Sequence, residues 1–129
     1  MKLLSILLIL AATFSYGQAS KYHKKYAFIN TKGEIVFDVS AKYAYSFSNG
    51  LARVGVYTIV GNKAYYNYGF IDEAGKMVIP AEYDKVYDFA DGVDITWVRK
   101  RGEDKYILID KRGKRVNDLA FKDVGFWIE

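Results

Sequence analysis

The sequence predicts an all-β fold: antiparallel hairpins joined into a meander and repeated along the chain. Three observations predict it. An eleven-residue block recurs three times at two coherent offsets. Tyr, Phe, Val and Ile fill the stretches between turns, with 12 Tyr and 8 Phe among 129 residues, and such side chains suit a half-buried pleated surface. The chain holds 11 glycines and one proline, and most of the glycines fall where turns are needed.

At the start of the chain, Lys2 is the first charge. Leu3 to Ala12 is apolar apart from Ser5, and small or polar residues follow from Thr13 to Ser20. A positive start, a short apolar stretch and small residues beyond it form the pattern of a secretory signal peptide. Residues 1–19 are assigned to it, with cleavage expected after Gly17 or Ala19. The run is about half of the roughly 20 apolar residues that a spanning helix needs, so no stable membrane span is expected after cleavage. The expected location is periplasmic or extracellular, in a bacterium. There is no cysteine. That excludes a lipid anchor at the cut site, a disulfide framework and any thiolate metal site. The exported chain must then be held by its core. Residues 20–129 form one expected domain, of a size that buries roughly 65% of its unfolded surface. A net charge of +4 is a mild excess, and export argues against nucleic acid as a partner.

The repeats begin at Tyr26-Ala27-Phe28-Ile29-Asn30-Thr31-Lys32-Gly33-Glu34-Ile35-Val36. They return at Tyr68-Gly69-Phe70-Ile71-Asp72-Glu73-Ala74-Gly75-Lys76-Met77-Val78, and again at Tyr106-Ile107-Leu108-Ile109-Asp110-Lys111-Arg112-Gly113-Lys114-Arg115-Val116. Gly33 and Gly75 are 42 residues apart, and Gly75 and Gly113 are 38 apart. Further on, Phe47-Ser48-Asn49-Gly50-Leu51 matches Phe89-Ala90-Asp91-Gly92-Val93, and Phe121, Val124 and Trp127 continue the series. The units span about 26–67, 68–105 and 106–129, or about two and a half to three repeats.

Within the second unit, Tyr68 to Asp72 reads as a strand. The turn Glu73 to Lys76 uses Gly75 for its positive-φ position, and Met77 to Ile79 returns. Pro80, having no N–H to donate, is expected to end the pairing. Ala81 to Asp84 is expected as a helical turn or loop, and Lys85 to Phe89 as a strand or extended link. Val93 to Lys100 is expected as a long strand, turned back at Arg101 to Asp104. In the first unit Leu51 to Val60 runs out, Gly61-Asn62 turns and Lys63 to Tyr68 returns. That longer hairpin accounts for the larger spacing. So short an array is expected to close partly on itself, barrel-like, or to pair with another chain.

These blocks resemble the WG-repeat family, also called KWG repeats. Its typical unit is Trp-Gly-(Tyr/Phe)-Ile-Asp-x-x-Gly-Lys-x-Val-Ile-Pro, followed by Phe-Ser-(Asp/Glu)-Gly-Leu-Ala. The second unit fits from Gly69 to Pro80, and the first supplies Phe47-Ser48-Asn49-Gly50-Leu51-Ala52. No Trp-Gly pair occurs, and Tyr68-Gly69 is nearest to it. Pro80 has no counterpart in the other units. The outer units are thus degenerate, as capping repeats often are. The resemblance implies an all-β repeat scaffold with a binding role and no assigned reaction.

No residue pattern points to catalysis, a metal or a cofactor. His23, beside the expected cleavage site, is read as a residue of the N-terminal tail. Asp84, Asp88, Asp91 and Asp94 cluster between two elements but match no EF-hand loop spacing, and Asp91-Gly92 falls where the repeat needs a turn, which favours turn chemistry and solvation over a calcium site or a catalytic pair. Asn30, Asp72 and Asp110 share one repeat position, which favours a structural role. The basic residues Arg99-Lys100-Arg101 and Lys111 to Arg115 fall at expected hairpin tips. The aromatics rise above this background. Tyr43, Tyr45, Tyr57, Tyr65, Tyr66, Tyr68, Tyr83, Tyr87, Trp97, Tyr106 and Trp127 can fill a thin core, or they can present an exposed platform for a protein or a glycan. Tyr65-Tyr66-Asn67-Tyr68 is the expected place for a platform, because adjacent strand residues face opposite ways. Tyr65, Tyr66, Tyr68 and Trp97 are the candidate binding residues. The function read from the sequence is an exported non-enzymatic scaffold that binds a protein or glycan. A self-associating envelope component is the alternative, and a carboxylate hydrolase a more distant one.

Overall fold

The computed structural model describes residues 3–10 and 23–124. The expected cleavage positions and Trp127 lie outside them. Among the described residues ten strands follow one another: β1 (Leu3–Leu10), β2 (Lys24–Asn30), β3 (Ile35–Ala41), β4 (Tyr43–Ala44), β5 (Ala52–Val60), β6 (Lys63–Ile71), β7 (Met77–Val86), β8 (Ile95–Lys100), β9 (Tyr106–Asp110) and β10 (Arg115–Phe121). They form an antiparallel three-stranded sheet, β1-β2-β3, and an antiparallel seven-stranded sheet in the order β10 to β4. No described residue is helical. The apolar run Leu3–Leu10 lies along β2 in the full-length chain.

The three repeats share their turns atom for atom. The side-chain oxygen Oδ1 of Asn30 accepts the N–H groups of Lys32 and Glu34 at 2.9 and 3.1 Å. Asp72 accepts those of Ala74 and Lys76 at 3.0 and 2.9 Å. Asp110 accepts those of Arg112 and Lys114 at 2.8 and 3.0 Å. A short polar side chain thus satisfies two backbone donors that the turn would leave unpaired. The glycine that follows has φ of 81°, 85° or 83° at Gly33, Gly75 and Gly113, a left-handed conformation that costs other residues energy. The recurring Asp or Asn is therefore part of the turn.

Packing repeats as well. Phe28 meets Phe47 edge-on at 5.1 Å and 69°. Phe70 meets Phe89 at 5.1 Å and 66°, 42 residues further along. These pairs anchor two clusters. One gathers Tyr26, Phe28, Ala41, Ala44, Ala52, Val54 and Ile71. The other gathers Leu51, Phe70, Ile79, Tyr83, Val86, Phe89, Val98 and Ile109. Phe70 and Ile71 are neighbours on β6 and serve different clusters, because adjacent strand residues face opposite sides.

The structure departs from the sequence expectations in three places. Pro80 does not end the pairing, and Ala81 to Asp84 is neither helical nor a loop. β7 runs through both to Val86, with a bulge between the pairs Phe70↔Ile79 and Tyr68↔Tyr83. The bulge removes the need for a ladder bond from Pro80. Gly69 makes it possible, since a Cβ there would lie 2.4 Å from the Ile79 carbonyl oxygen. β8 begins at Ile95, not Val93. Finally, the array stays open. Each new hairpin adds beyond the last, which leaves β10 and β4 at opposite edges of the sheet.

Candidate functional site

β6 alternates its side chains, so Tyr66 and Tyr68 share a face with Phe70 while Tyr65 and Asn67 face the other way. β5 sets Tyr57 opposite Tyr66 and Gly55 opposite Tyr68. The Tyr68 ring lies over Gly55, where a Cβ would come within 3.0 Å of it. β4 sets Tyr43 opposite Gly55, and the Tyr45 N–H bonds the Arg53 carbonyl at 3.0 Å. Three strands thus bring five tyrosines into one row.

Within the row, Tyr66 meets Tyr43, Tyr57 and Tyr68 edge-on at 5.8, 5.7 and 5.8 Å. Tyr68 meets Tyr45 at 6.3 Å. Lys42 Nζ stands 5.3 Å from the Tyr43 ring centre and 5.7 Å from that of Tyr57. The Arg53 guanidinium covers Tyr45 at 4.1 Å and bonds Asp88 at 2.6 Å. Burial, and then the hydrogen bond and charge of Tyr45, push the Tyr68 hydroxyl well above the usual phenol range, so it stays protonated. The outer rings face solvent, with Tyr43 38% and Tyr66 36% exposed. Rings that hold cations over one face can stack their other face on apolar or sugar surfaces and present hydroxyls for hydrogen bonds.

Part of the row is scaffold. Tyr87 and Tyr106 repeat the Tyr45–Tyr68 pair, at 6.0 Å and 46° against 6.3 Å and 45°. The exposed part does not repeat: Lys85 and Asp104 stand where the earlier unit has Tyr43 and Tyr66. The solvent-facing tyrosines are thus particular to one junction.

Of the candidate residues, Tyr66 and Tyr68 join the row. Tyr65 lies on the opposite face under Arg101, whose guanidinium is 5.5 Å from its ring and bonds Asn67 Oδ1 at 2.7 Å and the Tyr66 carbonyl. Trp97 is half-buried on β8 and packs edge-on against Phe121 at 5.2 Å. Tyr43, Tyr45 and Tyr57 are visible as aromatics in the sequence, but only the register of three strands joins them to Tyr66. His23 is no loose tail residue. It stacks near Tyr57 at 6.1 Å, and its Nε2 accepts the Tyr57 N–H at 2.9 Å. Partial burial holds its pKa below the usual imidazole value.

Three of the four clustered aspartates hold polar side chains. Asp84 makes a two-pronged bond to Arg99 at 3.1 and 3.1 Å. Asp88 holds Arg53, and Asp94 accepts Asn49 Nδ2 at 3.1 Å. Among the described residues no three His, Cys, Asp or Glu side chains group as a metal site. No described helix is long and apolar enough to cross a membrane.

A family model described as WG containing repeat matches residues 26–56 and 68–106. No curated protein and no solved structure matches.

Proposed function

The chain belongs to the WG-repeat family, and from that premise we propose that it is an exported, non-enzymatic β scaffold whose tyrosine row binds a partner protein, with a glycan as the alternative ligand. It works in the periplasm or outside a bacterial cell, after removal of the N-terminal segment. One observation carries this reading: Tyr43 and Tyr66 are exposed beside Lys42 at a position where the next repeat has charged residues instead. Scaffold aromatics recur from unit to unit, whereas a ligand surface is free to appear once. Tyr is also favoured at interfaces, being rigid, apolar on its faces and polar at its tip.

The test is capture from cell-envelope extract, run beside a glycan array, with the secreted wild type and a Tyr43→Ala, Tyr66→Ala double variant. A single protein captured by the wild type and lost by a variant with an unchanged far-ultraviolet spectrum supports the protein reading. Array binding lost in the same way supports the glycan. Equal capture by both chains places the contact away from the row. Finding the leader intact on chain recovered outside the cytoplasm would sink the cleavage half of the reading.

A further inference from the structure

Two contacts seat each repeat on the one before, and they are copies of each other. Gly75 lies on the Phe37 ring, where a Cβ would come within 2.9 Å. Gly113 lies on Ile79, where a Cβ would come within 3.3 Å. Phe37 and Ile79 are the same repeat position. Continuing the series leaves half a contact at each end. The first turn glycine, Gly33, has nothing within 4 Å of where its Cβ would be. The last seat is β10, every residue of which is exposed.

That seat keeps the shape of a filled one. β10 pairs with β9 in the register that β7 makes with β6: Phe121↔Tyr106 matches Tyr83↔Tyr68, and Arg115↔Ile109 matches Met77↔Ile71. It also keeps apolar side chains. Phe121 is 38% exposed, whereas its counterpart Tyr83 is buried at 3%. Leu119, beside it, is 55% exposed.

We propose that the two half-contacts meet between molecules, so that the first turn of one copy seats on β10 of another and the repeat continues head to tail. The partner is a second copy of this chain, because the joint is the contact already made twice within it. A head-to-tail joint that does not close into a ring grows into open chains. Asn117 stands where Ile79 centres the internal seat, and its Oδ1 accepts the Leu119 N–H at 3.0 Å. The joint between copies is therefore weaker than the internal ones and depends on concentration.

Because the chain has no cysteine, single thiols can read the geometry. Lys32→Cys and Asp118→Cys would be made separately in the secreted protein, mixed and oxidised over a range of concentrations. The expected result is a mixed dimer in clear excess over both same-variant dimers, growing with concentration and lost on adding Phe121→Glu to the Asp118→Cys chain. Sedimentation of the wild type should show mass rising with concentration. The proposal is overturned if no dimer forms, if the three dimers appear in the proportions of random encounter, or if the Asp118→Cys chain pairs chiefly with itself, which would mean a face-to-face contact. If either variant loses its far-ultraviolet spectrum, Thr31→Cys and Lys122→Cys take their places with the same outcomes.

Discussion

Replacing Gly69 with alanine tests whether the bulge in β7 depends on the missing side chain. A Cβ on Gly69 would lie 2.4 Å from the Ile79 carbonyl oxygen, 2.9 Å from the Ala81 nitrogen and 2.9 Å from the Met77 sulfur. Ordinary contact begins near 3.4 Å, so the carbonyl must retreat by the difference between 3.4 and 2.4 Å. Two of the three obstructing atoms are backbone, which has no rotamer to escape into. Retreat pulls fully buried Ile79 away from Phe70 and the rest of its cluster, and a gap of about 1 Å forfeits a quarter to a half of each dispersion contact. Overpacking costs about 1–3 kcal/mol in general. A backbone clash belongs at the upper end, so about 3 kcal/mol is expected, out of a total of about 5–15 kcal/mol. In urea, with a slope of about 2 kcal/mol per molar, the midpoint should fall by about 1.5 M. Gly102→Ala is the control. That glycine has φ of 86° and open space around it, so only the left-handed conformation is penalised, at about 1–2 kcal/mol. A Gly69→Ala chain no less stable than the Gly102→Ala chain would refute the reasoning.

Asn30 is buried and caps the Lys32 and Glu34 amides, so Asn30→Ala should cost about 1–3 kcal/mol in thermal unfolding. Asn30→Asp, which restores the acceptor found at Asp72 and Asp110, should recover part of that loss. His23 has a folded pKa below its unfolded value of about 6.5 because of burial. The unfolded chain therefore binds the proton first, and stability should fall as pH drops from 7 through that value, levelling below the folded pKa. Melting temperatures from pH 7.5 to 5 should show this drop in the wild type and less of it in His23→Gln, and parallel curves would count against it. Arg99 and Asp84 are a quarter and a fifth exposed, so a double-mutant cycle should return a coupling of about 1 kcal/mol or less. A coupling several times larger would mean that this ion pair organises more than its own strands.

The fold was legible in the sequence because its determinants are local and repeated. Asp72 and Gly75 specify a turn wherever they recur, and the Phe28–Phe47 and Phe70–Phe89 pairs are visible as two phenylalanines at a constant offset. Pro80 misled because its meaning depends on Gly69 across the ladder: proline ends a strand in isolation and marks a bulge when the facing residue lets the backbones approach. The tyrosine row was half legible. Alternation along β6 separates Tyr65 from Tyr66 and Tyr68, but the partners Tyr43 and Tyr57 depend on pairing register, which a list of aromatics does not contain. His23 was misplaced for a similar reason. Its partner is a backbone amide 34 residues away, and no side-chain pattern announces such a bond.

Every strand in both sheets pairs only with its neighbours along the chain. Within the seven-stranded sheet the search behind each pairing therefore spans only the segment between consecutive strands, for which the loop-closure entropy is small, and such neighbour-to-neighbour pairing favours fast folding. A polypeptide delivered end first, from a ribosome or through a narrow pore, could complete one hairpin before the next emerges. Such a chain would show a single growing sheet edge at any moment, instead of many open edges awaiting distant partners. The brief life of each exposed edge would limit the mispairing between molecules to which β-rich chains are prone.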